Sequence, residues 1–389
     1  MEGFNTRAVR GSKGIGEIAE RPLAEPIWQV ADYTYESAGH YADVINERRP
    51  GQVYGRYGNP TLEVLAEVLA GLERTDAGWI FSSGMGAVHA VLMHLAASGD
   101  RVVAARTLYG GTYGLFTEGA ERVGITVDFV DATDASAVEA ALAEPAAGVF
   151  VEMVANPTFE VADLEGITRA CRAAGVPLAV DNTVATPALS NPAELGADVV
   201  IHSTSKYIGG HHDLMGGAVL GTHGRIEEVR HLAIRYGTTA SALESWLALR
   251  GVATLGLRME RHSSNALAVA ETLERDDRIE KVLYPGLPSH PQNDRAKRLL
   301  EGFGGMVAVD LGSQEKAWRF MDALEIARVG SSFGGVRSET THPATTSHRQ
   351  ISPEDRRAAG IGDGLVRISV GIEDPEDLVA DFEQAMERM

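Results

Sequence analysis

Short apolar runs alternate with amphipathic segments through the middle of the chain, between about residues 78 and 221. Most of these runs are bounded by glycine-rich turns and are rich in β-branched residues, which is typical of strands buried on both faces. The segments between them have the period of surface helices. This alternation predicts a parallel sheet covered by helices. The predicted strands span residues 79–82, 101–104, 126–130, 148–152, 178–181, 199–202 and 217–220.

The pattern changes after this region. A long helical pattern runs from about residue 255 to Arg275, and two further strands are predicted at 305–310 and 365–370. A closing helix is predicted after Pro375, because proline suits the first turn of a helix, where its missing N–H needs no acceptor. These elements predict a second, smaller α/β unit.

We therefore expect an α/β fold in three parts. Residues 1–58 lack a regular period and contain several prolines and aromatic residues, a composition that suits an arm packed on a partner subunit. Residues 59–254 form the expected large domain with its mostly parallel sheet. Residues 255–389 form the expected smaller C-terminal α/β domain. A chain of 389 residues is long enough for each domain to have its own core.

The balance of charge limits the classes of partner. The chain has 54 Asp and Glu against 35 Lys and Arg, a formal net charge of −19, which opposes binding to nucleic acid and to an anionic membrane surface. A small anionic ligand therefore needs a locally basic pocket. The single Cys171 cannot form an intrachain disulfide, and the first thirty residues contain no apolar run typical of a signal peptide or a membrane span. A soluble cytoplasmic protein is expected.

One lysine follows a predicted strand end. The strand at 199–202 is followed by Ser-Thr-Ser and then Lys206, and Gly209 and Gly210 prevent a helix from continuing there. In open α/β sheets, ligands bind at the carboxyl ends of the strands, where an amine can react with a bound aldehyde. A lone loop lysine is more often simply solvated, so the interpretation depends on the residues that share this edge.

A glycine-rich turn at another strand end predicts an anion site. The segment Ser82–Gly86 joins a predicted strand to an amphipathic helix. The free N–H groups and the dipole at a helix start stabilise an anion such as a phosphate. The turn lacks the G-x-G-x-x-G spacing of a dinucleotide site, and turns of this kind can also serve packing alone.

A carboxylate ends the predicted strand at 178–181. A buried Asp181 needs a cationic or donor partner. The protonated ring nitrogen of pyridoxal phosphate is such a partner, and the ion pair would keep the ring electron-withdrawing. Alternatively, the side chain of Asp181 only caps the turn that follows it.

Eight blocks of sequence, in this order, carry a resemblance to a known family. They are Tyr54–Thr61, Ser82–Gly86, Leu108–Thr112, Asn156-Pro157, Asp181–Thr183, the segment around Lys206, His342–Ala344 and Arg367–Asp374. Over essentially its whole length the chain resembles the trans-sulfuration, or Cys/Met metabolism, family of pyridoxal-phosphate enzymes. That family includes cystathionine γ-synthase, cystathionine γ-lyase, methionine γ-lyase and the O-acylhomoserine sulfhydrylases.

The resemblance implies a fold-type I pyridoxal-phosphate-dependent transferase and a role for each site residue. Lys206 would bind the cofactor aldehyde and then transfer protons between substrate carbons, since a neutral amine is a nucleophile and a base. Tyr109 would stack on the pyridine ring and donate a proton to the leaving group. Asn156 would hydrogen-bond the ring oxygen, and Asp181 would pair with the ring nitrogen. The residues that would hold the cofactor phosphate are Gly84, Met85, Ser203 and Ser205, with Tyr54 and Arg56 of a neighbouring subunit.

The resemblance also implies how the amino-acid substrate is held and how subunits assemble. Arg367 would bind the substrate α-carboxylate with its planar fork of donors, assisted by Ser332. Because Tyr54 and Arg56 would act across subunits, the active site would belong to a dimer, and a homotetramer of such dimers is expected. No metal is predicted, since the adjacent side chains of His211-His212-Asp213 diverge and no second ligand cluster appears in the sequence.

Members of the family act at the γ-carbon of an amino acid, and two positions bear on the final step. Gly111 stands where methionine γ-lyases commonly have cysteine. Arg337 stands where the lyases and cystathionine synthases usually have glutamate, while the sulfhydrylases tend to have lysine or arginine. A cation there would favour a carboxylate-bearing tail such as a succinyl ester, unless Arg337 points to solvent or pairs with Glu339.

We therefore expect γ-replacement on an O-acylhomoserine, of the cystathionine γ-synthase or sulfhydrylase type. The alternative is γ-elimination from methionine, homocysteine or cystathionine, which gives 2-oxobutanoate and ammonia. Two further hypotheses are an aminotransferase of the same fold and a catalytically silent relative that serves as a binding module. Colour separates the last from the enzymes, because a yellow protein that bleaches on borohydride reduction has the bond between Lys206 and the cofactor.

Overall fold

A seven-stranded sheet lies at the centre of the larger part of the molecule. The structure, a computed structural model, describes residues 3–10 and 22–389. The strands of this sheet are β1 (Ala77–Phe81), β2 (Arg101–Ala105), β3 (Thr126–Val130), β4 (Gly148–Glu152), β5 (Leu178–Asp181), β6 (Val199–His202) and β7 (Gly217–Gly221). All seven strands predicted in this region are confirmed, with bounds that differ by at most two residues.

The strands lie in the order β1-β7-β6-β5-β4-β2-β3. Only β7 is antiparallel to its neighbours, β1 and β6, and the other neighbouring pairs are parallel. The expected mostly parallel sheet is therefore confirmed. In its centre, Glu152 of β4 pairs in register with Asp181 of β5, and Asp181 pairs with Ile201 of β6. The carboxyl ends of these three strands thus meet at one edge.

Helices surround this sheet and continue into the C-terminal part. The helices before β7 are α1 (Phe4–Arg10), α2 (Ala38–Ile45), α3 (Pro60–Glu73), α4 (Gly84–Leu95), α5 (Gly110–Gly114), α6 (Ala120–Arg122), α7 (Ala135–Ala141), α8 (Leu164–Ala174) and α9 (Thr186–Leu189), with a π-helix at Leu115–Gly119. Those after β7 are α10 (His223–Tyr236), α11 (Ala242–Val252), α12 (Leu255–Glu274), α13 (Asn293–Leu299), α14 (Gln314–Ala323), α15 (Pro353–Ala358) and α16 (Pro375–Glu387), with a 3₁₀ turn at Pro343–Thr345. Within the described residues, no helix is both long enough and apolar enough to cross a membrane.

The N-terminal segment contains more regular structure than its sequence pattern indicates. Helices α1 and α2 fall within the first 58 residues, where we expected no regular element. Each has at most eight residues, too few for an amphipathic period to stand out. Residues 1–2 and 11–21 of the expected arm lie outside the described residues.

A second, five-stranded sheet forms the C-terminal part, in the order β10-β11-β12-β9-β8. Its strands are β8 (Lys281–Leu283), β9 (Met306–Asp310), β10 (Arg328–Val329), β11 (Glu339–Thr341) and β12 (Leu365–Ser369). The predictions for β9 and β12 and for the closing helix after Pro375 agree with these elements. The other three strands were missed because runs of two or three residues show no period.

Buried apolar side chains form two clusters: one surrounds the large sheet and includes residues of β8, β9 and β12, and the other lies against the small sheet. Helix α12 contributes to both, since Leu255 and Met259 belong to the cluster around the large sheet, while Ala266 and Leu273 belong to the cluster of the small sheet. The exact boundary between the 59–254 and 255–389 units stays a proposal, because this one helix is shared.

A buried polar cluster fastens the ends of β5 and β6 to α3. Glu73, the last residue of α3, is fully buried, and its Oε1 accepts hydrogen bonds from Asn182 Nδ2 at 2.7 Å and contacts His202 Nε2 at 2.6 Å. Burying a carboxyl is tolerated only where its oxygens are hydrogen-bonded. The cluster therefore fixes the end of β5, where Asp181 lies, and the end of β6, from which the Lys206 loop continues.

The loop that carries Lys206 is held from the side by α11 and α12. The buried Arg258 of α12 donates from Nη1 to the carbonyl oxygen of Tyr207 at 2.6 Å and from Nη2 to that of Gly251 at 2.7 Å. Gly251 of α11 approaches the same loop so closely that a Cβ there would lie 2.3 Å from the carbonyl oxygen of Gly209. Only glycine permits this contact between backbones.

We predict that Gly251→Ala destabilises the protein by about 2 kcal/mol, because the added methyl group overlaps backbone atoms that cannot move independently. The matched control is Gly224→Ala in the exposed first turn of α10, where a Cβ would meet nothing within 4 Å. We expect the control to be neutral or slightly stabilising, because alanine favours helix. Thermal unfolding of the cofactor-saturated proteins measures both. Equal melting temperatures for the two variants would contradict the packing argument.

Candidate active site

A cavity of about 340 Å³ opens at the carboxyl ends of β4, β5 and β6. Its wall combines the first turn of α4, the ends of these strands, the loop after β6 and two residues of the C-terminal part, Ser332 and Phe333. The predicted site residues that line it are Gly84, Met85, Tyr109, Asn156, Asp181, Ser203, Ser205, Lys206 and Ser332. The structure therefore brings together side chains from distant parts of the sequence. Tyr54, Arg56, Arg337 and Arg367 are not part of this wall.

The amine of Lys206 lies in a partly buried position in the wall. Its Nζ donates a hydrogen bond to Ser332 Oγ at 2.8 Å and lies 4.8 Å from the centre of the Phe333 ring. Burial, followed by the positive charge of Arg367, lowers the pKa of Lys206 to about 8. Near neutral pH an appreciable fraction of this amine is unprotonated, which is the form that attacks an aldehyde.

The first turn of α4 offers free donors to the cavity. Ser83 caps the helix, since its Oγ accepts from the N–H of Gly86 at 3.0 Å. The N–H groups of Gly84 and Met85 occupy the first helical positions, so they have no acceptor within the helix. A Cβ at Gly84 would lie 2.7 Å from the Cβ of Ser203, so glycine allows Ser203 to approach the turn. These groups form a cradle suited to a phosphate.

The hydroxyls of the two predicted serines, Ser203 and Ser205, differ in the hydrogen bonds that they make within the protein. Ser205 Oγ donates to the carbonyl oxygen of Gly216 at 3.2 Å and accepts from the N–H of Gly216 at 2.9 Å. Among the described residues, the hydroxyl of Ser203 makes no comparable hydrogen bond, while its backbone N–H donates to Thr183 Oγ1 at 2.8 Å. Ser203 is therefore the freer donor for an anion, and Ser205 mainly braces the loop.

Asp181 lies in the wall beneath the same opening. Its Oδ1 accepts from the N–H of Thr183 at 2.9 Å. Burial raises the pKa of Asp181, because the charged form loses its hydration there. A cation placed against this carboxyl would restore the ionised form. Asp181 thus has the environment expected of a partner for a protonated ring nitrogen, and Thr183, which the sequence prediction did not include, orients it.

A second buried carboxyl, Glu152, was missed by the sequence prediction. It ends β4 and is 6% exposed. Its Oε1 accepts from the backbone N–H of Tyr109 at 2.6 Å, and its Oε2 accepts from the N–H of Asn156 at 3.0 Å. Burial, followed by the neighbouring Asp181, raises the pKa of Glu152 to about 8. The sequence feature that could have identified Glu152 is its position at the end of a predicted strand, which is also the position of Asp181.

Tyr109 and Asn156 lie on the same side of the cavity. Tyr109 precedes α5 and its side chain is 41% exposed, so the ring is available to a ligand. A Cβ at Gly111 would lie 2.7 Å from the Tyr109 ring and 3.2 Å from the sulfur of Met85. Asn156 is buried, and its Oδ1 accepts from Arg367 Nη1 at 3.4 Å.

Arg367 of β12 lies directly behind the wall. It is 2% exposed and donates from Nη2 to the carbonyl oxygen of Ser332 at 2.5 Å and to Thr341 Oγ1 at 3.1 Å. Its Nε is buried and has no hydrogen-bond partner among the described residues. Burial lowers the pKa of Arg367 to about 10. A buried guanidinium with a spare donor suits a carboxylate ligand, and its predicted contact with a substrate carboxylate stays a prediction.

The other predicted residues point elsewhere in this chain. The side chain of Arg337 is exposed, and no ion pair joins it to Glu339, which instead faces His212, with 3.6 Å between Oε1 and Nε2. Arg56 donates from Nη1 to the carbonyl oxygen of Ile234 at 2.8 Å, and Tyr54 is 45% exposed. The predicted role of Tyr54 and Arg56 in the cavity of a neighbouring subunit stays a prediction.

His212 is a further residue of the wall that the sequence prediction did not include. Its backbone is left-handed, with φ of 57°, and its ring packs on Gly335, where a Cβ would overlap the ring. The Glu339 carboxylate lies beside the ring, with its Oε1 3.6 Å from Nε2. Across residues 3–10 and 22–389, no group of three or more His, Cys, Asp or Glu side chains is placed to hold a metal ion.

The residues present fit pyridoxal phosphate. A lysine with a lowered pKa can bind an aldehyde, the start of α4 can hold a phosphate, and Asp181 can accept a ring N–H. Ser332 and the unpartnered Nε of Arg367 add donors for an amino-acid carboxylate. Lys206, the start of α4, Asp181 and Ser332 line one cavity, and Arg367 lies behind its wall.

Comparison with known proteins agrees with this chemistry. A model of the family described as Cys/Met metabolism PLP-dependent enzyme matches residues 5–387. The chain is 42% identical over 384 residues to O-succinylhomoserine sulfhydrylase of Pseudomonas aeruginosa, covering 98% of this chain and 95% of the relative. It is 38% identical over 389 residues to L-methionine gamma-lyase of Pseudomonas putida, covering 99% of this chain and 98% of the relative.

Among solved structures, a putative O-acetylhomoserine (thiol)-lyase from Campylobacter jejuni has a TM-score of 0.93 and 31% identity, covering 98% of this chain and 99% of that chain. That structure contains N'-pyridoxyl-lysine-5'-monophosphate. The fold-type I architecture and the pyridoxal phosphate cofactor expected from the sequence are confirmed. The chain belongs to the Cys/Met metabolism family of PLP-dependent enzymes, which act on small amino acids.

Proposed function

We propose that the enzyme catalyses γ-replacement on an O-acylhomoserine, with sulfide or a thiol as the nucleophile. The packing around Gly111 carries this proposal. A side chain at this position would overlap the Tyr109 ring, so the cysteine that methionine γ-lyases commonly have there does not fit without moving that ring. The 42% identity to an O-succinylhomoserine sulfhydrylase supports the same reaction type.

The residues of the cavity have distinct roles in such a reaction. Bound pyridoxal phosphate supplies an electron-withdrawing ring that stabilises negative charge on the substrate carbons. Lys206 Nζ accepts and returns protons at these carbons, which its lowered pKa permits near neutral pH. Arg367 and Ser332 hold the substrate α-carboxylate, and the Tyr109 hydroxyl donates a proton to the leaving group. Asn156 would hydrogen-bond the ring oxygen of the cofactor.

The N–H groups of Gly84 and Met85 and the hydroxyls of Ser203 and Ser205 would hold the cofactor phosphate, with Ser205 giving up its hydrogen bond to the carbonyl oxygen of Gly216. Tyr54 and Arg56 complete this set from a neighbouring subunit. Their location outside the cavity of their own chain and the exposure of Tyr54 support a shared site in a homodimer. Two such dimers form the proposed tetramer.

A second candidate function is γ-elimination, which gives 2-oxobutanoate and ammonia from methionine, homocysteine or cystathionine. One observation favours it: the side chain of Arg337 is exposed and does not line the cavity, which weakens the argument for a carboxylate-bearing substrate tail. The 38% identity to an L-methionine gamma-lyase agrees with this alternative.

Product analysis separates the two reactions. We expect O-succinylhomoserine or O-acetylhomoserine, supplied with sulfide or cysteine, to give the thiol adduct faster than methionine or cystathionine gives 2-oxobutanoate. Each substrate is tested with and without the nucleophile, and the products are identified by mass spectrometry. Formation of 2-oxobutanoate from methionine at a rate equal to or above that of any adduct would exclude our proposal.

The role of Arg337 is tested by charge reversal. If its cation attracts a succinyl tail, Arg337→Glu lowers kcat/KM for O-succinylhomoserine about tenfold relative to O-acetylhomoserine, the effect of one moderate charge-assisted contact. The control is Arg261→Glu, the same charge change at an exposed position of α12. If the preference between the two esters is the same in both variants, Arg337 has no part in substrate choice.

The pKa of Lys206 predicts how the enzyme captures its cofactor. Because only the neutral amine reacts with the aldehyde, capture by the cofactor-free protein should accelerate as pH rises through about 8, well below the ordinary pKa of lysine. Stopped-flow absorbance measures this rate. The variant Lys206→Ala should give no covalent adduct on borohydride reduction, whereas Lys316→Ala, at an exposed site of α14, should keep it. A reducible adduct in Lys206→Ala would refute the assignment.

A further inference from the structure

Glu152 is a buried carboxyl in the wall of the cavity that the proposed roles do not use. Each of its two oxygens accepts one backbone N–H, from Tyr109 at 2.6 Å and from Asn156 at 3.0 Å. These donors lie on different segments, the turn before α5 and the turn after β4. One side chain at the end of a central strand thus joins the two turns that contribute Tyr109 and Asn156 to the cavity wall.

We propose that Glu152 is a positioning residue that sets the placement of Tyr109 and Asn156 against the cofactor ring. The proposal rests on the proposed function, since it assumes that these two residues contact the ring. Glu152 acts through their backbones and needs no contact with the substrate.

The surroundings of Tyr109 show why a backbone anchor matters. Tyr109 is the N-cap residue of α5, so its N–H has no acceptor within the helix, and Glu152 supplies one. The ring itself is 41% exposed and packs against the bare backbone of Gly111. Its position in the cavity therefore depends on where the main chain is fixed.

Asn156 extends the effect of Glu152 to the substrate side. The Oδ1 of Asn156 accepts from Arg367, which also donates to the carbonyl oxygen of Ser332. Ser332 Oγ in turn accepts from Lys206 Nζ at 2.8 Å. A displaced Asn156 turn would therefore reach Arg367 and Lys206 through consecutive hydrogen bonds.

The cost of keeping Glu152 in this position indicates that the contacts matter. It lies beside Asp181 on the neighbouring strand, and burial with this second carboxyl raises its pKa to about 8. A carboxyl that served only to fill space could be replaced by an apolar side chain without this penalty. The two N–H donors are the groups that require an acceptor here.

The decisive variant is Glu152→Gln, which keeps the size of the side chain. One amide oxygen can replace one carboxyl oxygen, but the amide NH₂ faces the second N–H donor, so one of the two anchors is lost. We expect kcat to fall about 100-fold with a smaller change in KM, the effect of a misplacement of about 1 Å. We also expect weaker binding of pyridoxal phosphate and a diminished visible circular dichroism of the bound cofactor.

Glu160→Gln is the matched control. Glu160 is a partly buried carboxyl near the same strand end whose pKa is also raised by burial, but it accepts no hydrogen bond from the backbone of Tyr109 or Asn156. The control should keep the dichroism and kcat of the unaltered enzyme. If both variants lose them equally, or if Glu152→Gln keeps them, the positioning role is refuted.

Hydrogen exchange on the unaltered, cofactor-free protein tests the anchors without any variant. The amides of Tyr109 and Asn156 should be protected, and exchange as fast as in an exposed loop would overturn the proposal even if Glu152→Gln fails to fold. Cofactor dichroism and hydrogen exchange need no substrate, and kcat can be measured on whichever substrate the enzyme turns over. If the enzyme does not catalyse γ-replacement, these measurements still decide whether Glu152 positions Tyr109 and Asn156.

Discussion

The parallel alignment of β4, β5 and β6 is the constraint on which the site depends. Because their carboxyl ends meet at one edge, Glu152, Asp181 and the loop that carries Lys206 reach the same cavity. The alignment also places two carboxyls in a buried environment, where burial raises the pKa of both and Asp181 raises the pKa of Glu152 further. Polar contacts that hold the strand ends, including those of Glu73 at the end of α3, stabilise this arrangement.

Two basic side chains, one from each sheet, contribute to the electrostatics of the cavity. Lys206 comes from the large sheet and Arg367 from the small one, and their proximity lowers the pKa of the lysine beyond the effect of burial. The amine that would bind the cofactor and the guanidinium that would bind a carboxylate are therefore coupled by charge as well as by the hydrogen bonds through Ser332. The cavity depends on contacts between the two parts of the chain.

The amino-acid sequence was sufficient to predict elements that follow a regular hydrophobic pattern and site residues that lie at the ends of those elements. The strands of the large sheet could be predicted because buried β-branched runs alternate with helices, and Lys206, Asp181 and the Gly84 turn could be located because they follow these strands. The short strands β8, β10 and β11 could not, since two or three residues carry no period. Glu152 was missed because its role depends on where two backbone N–H groups lie, which sequence does not report. The exposed direction of Arg337 depends likewise on the turn that precedes β11.

The contact at Gly111 has a consequence for how substrate preference can evolve in this enzyme. The width of the cavity at this point and the orientation of the Tyr109 ring cannot change independently, because any side chain at 111 takes space that the ring occupies. A substitution at residue 111 alone therefore displaces the Tyr109 ring and also changes the space around it. New substrates at this wall would therefore require a substitution at Gly111 together with a change that gives the Tyr109 ring another position.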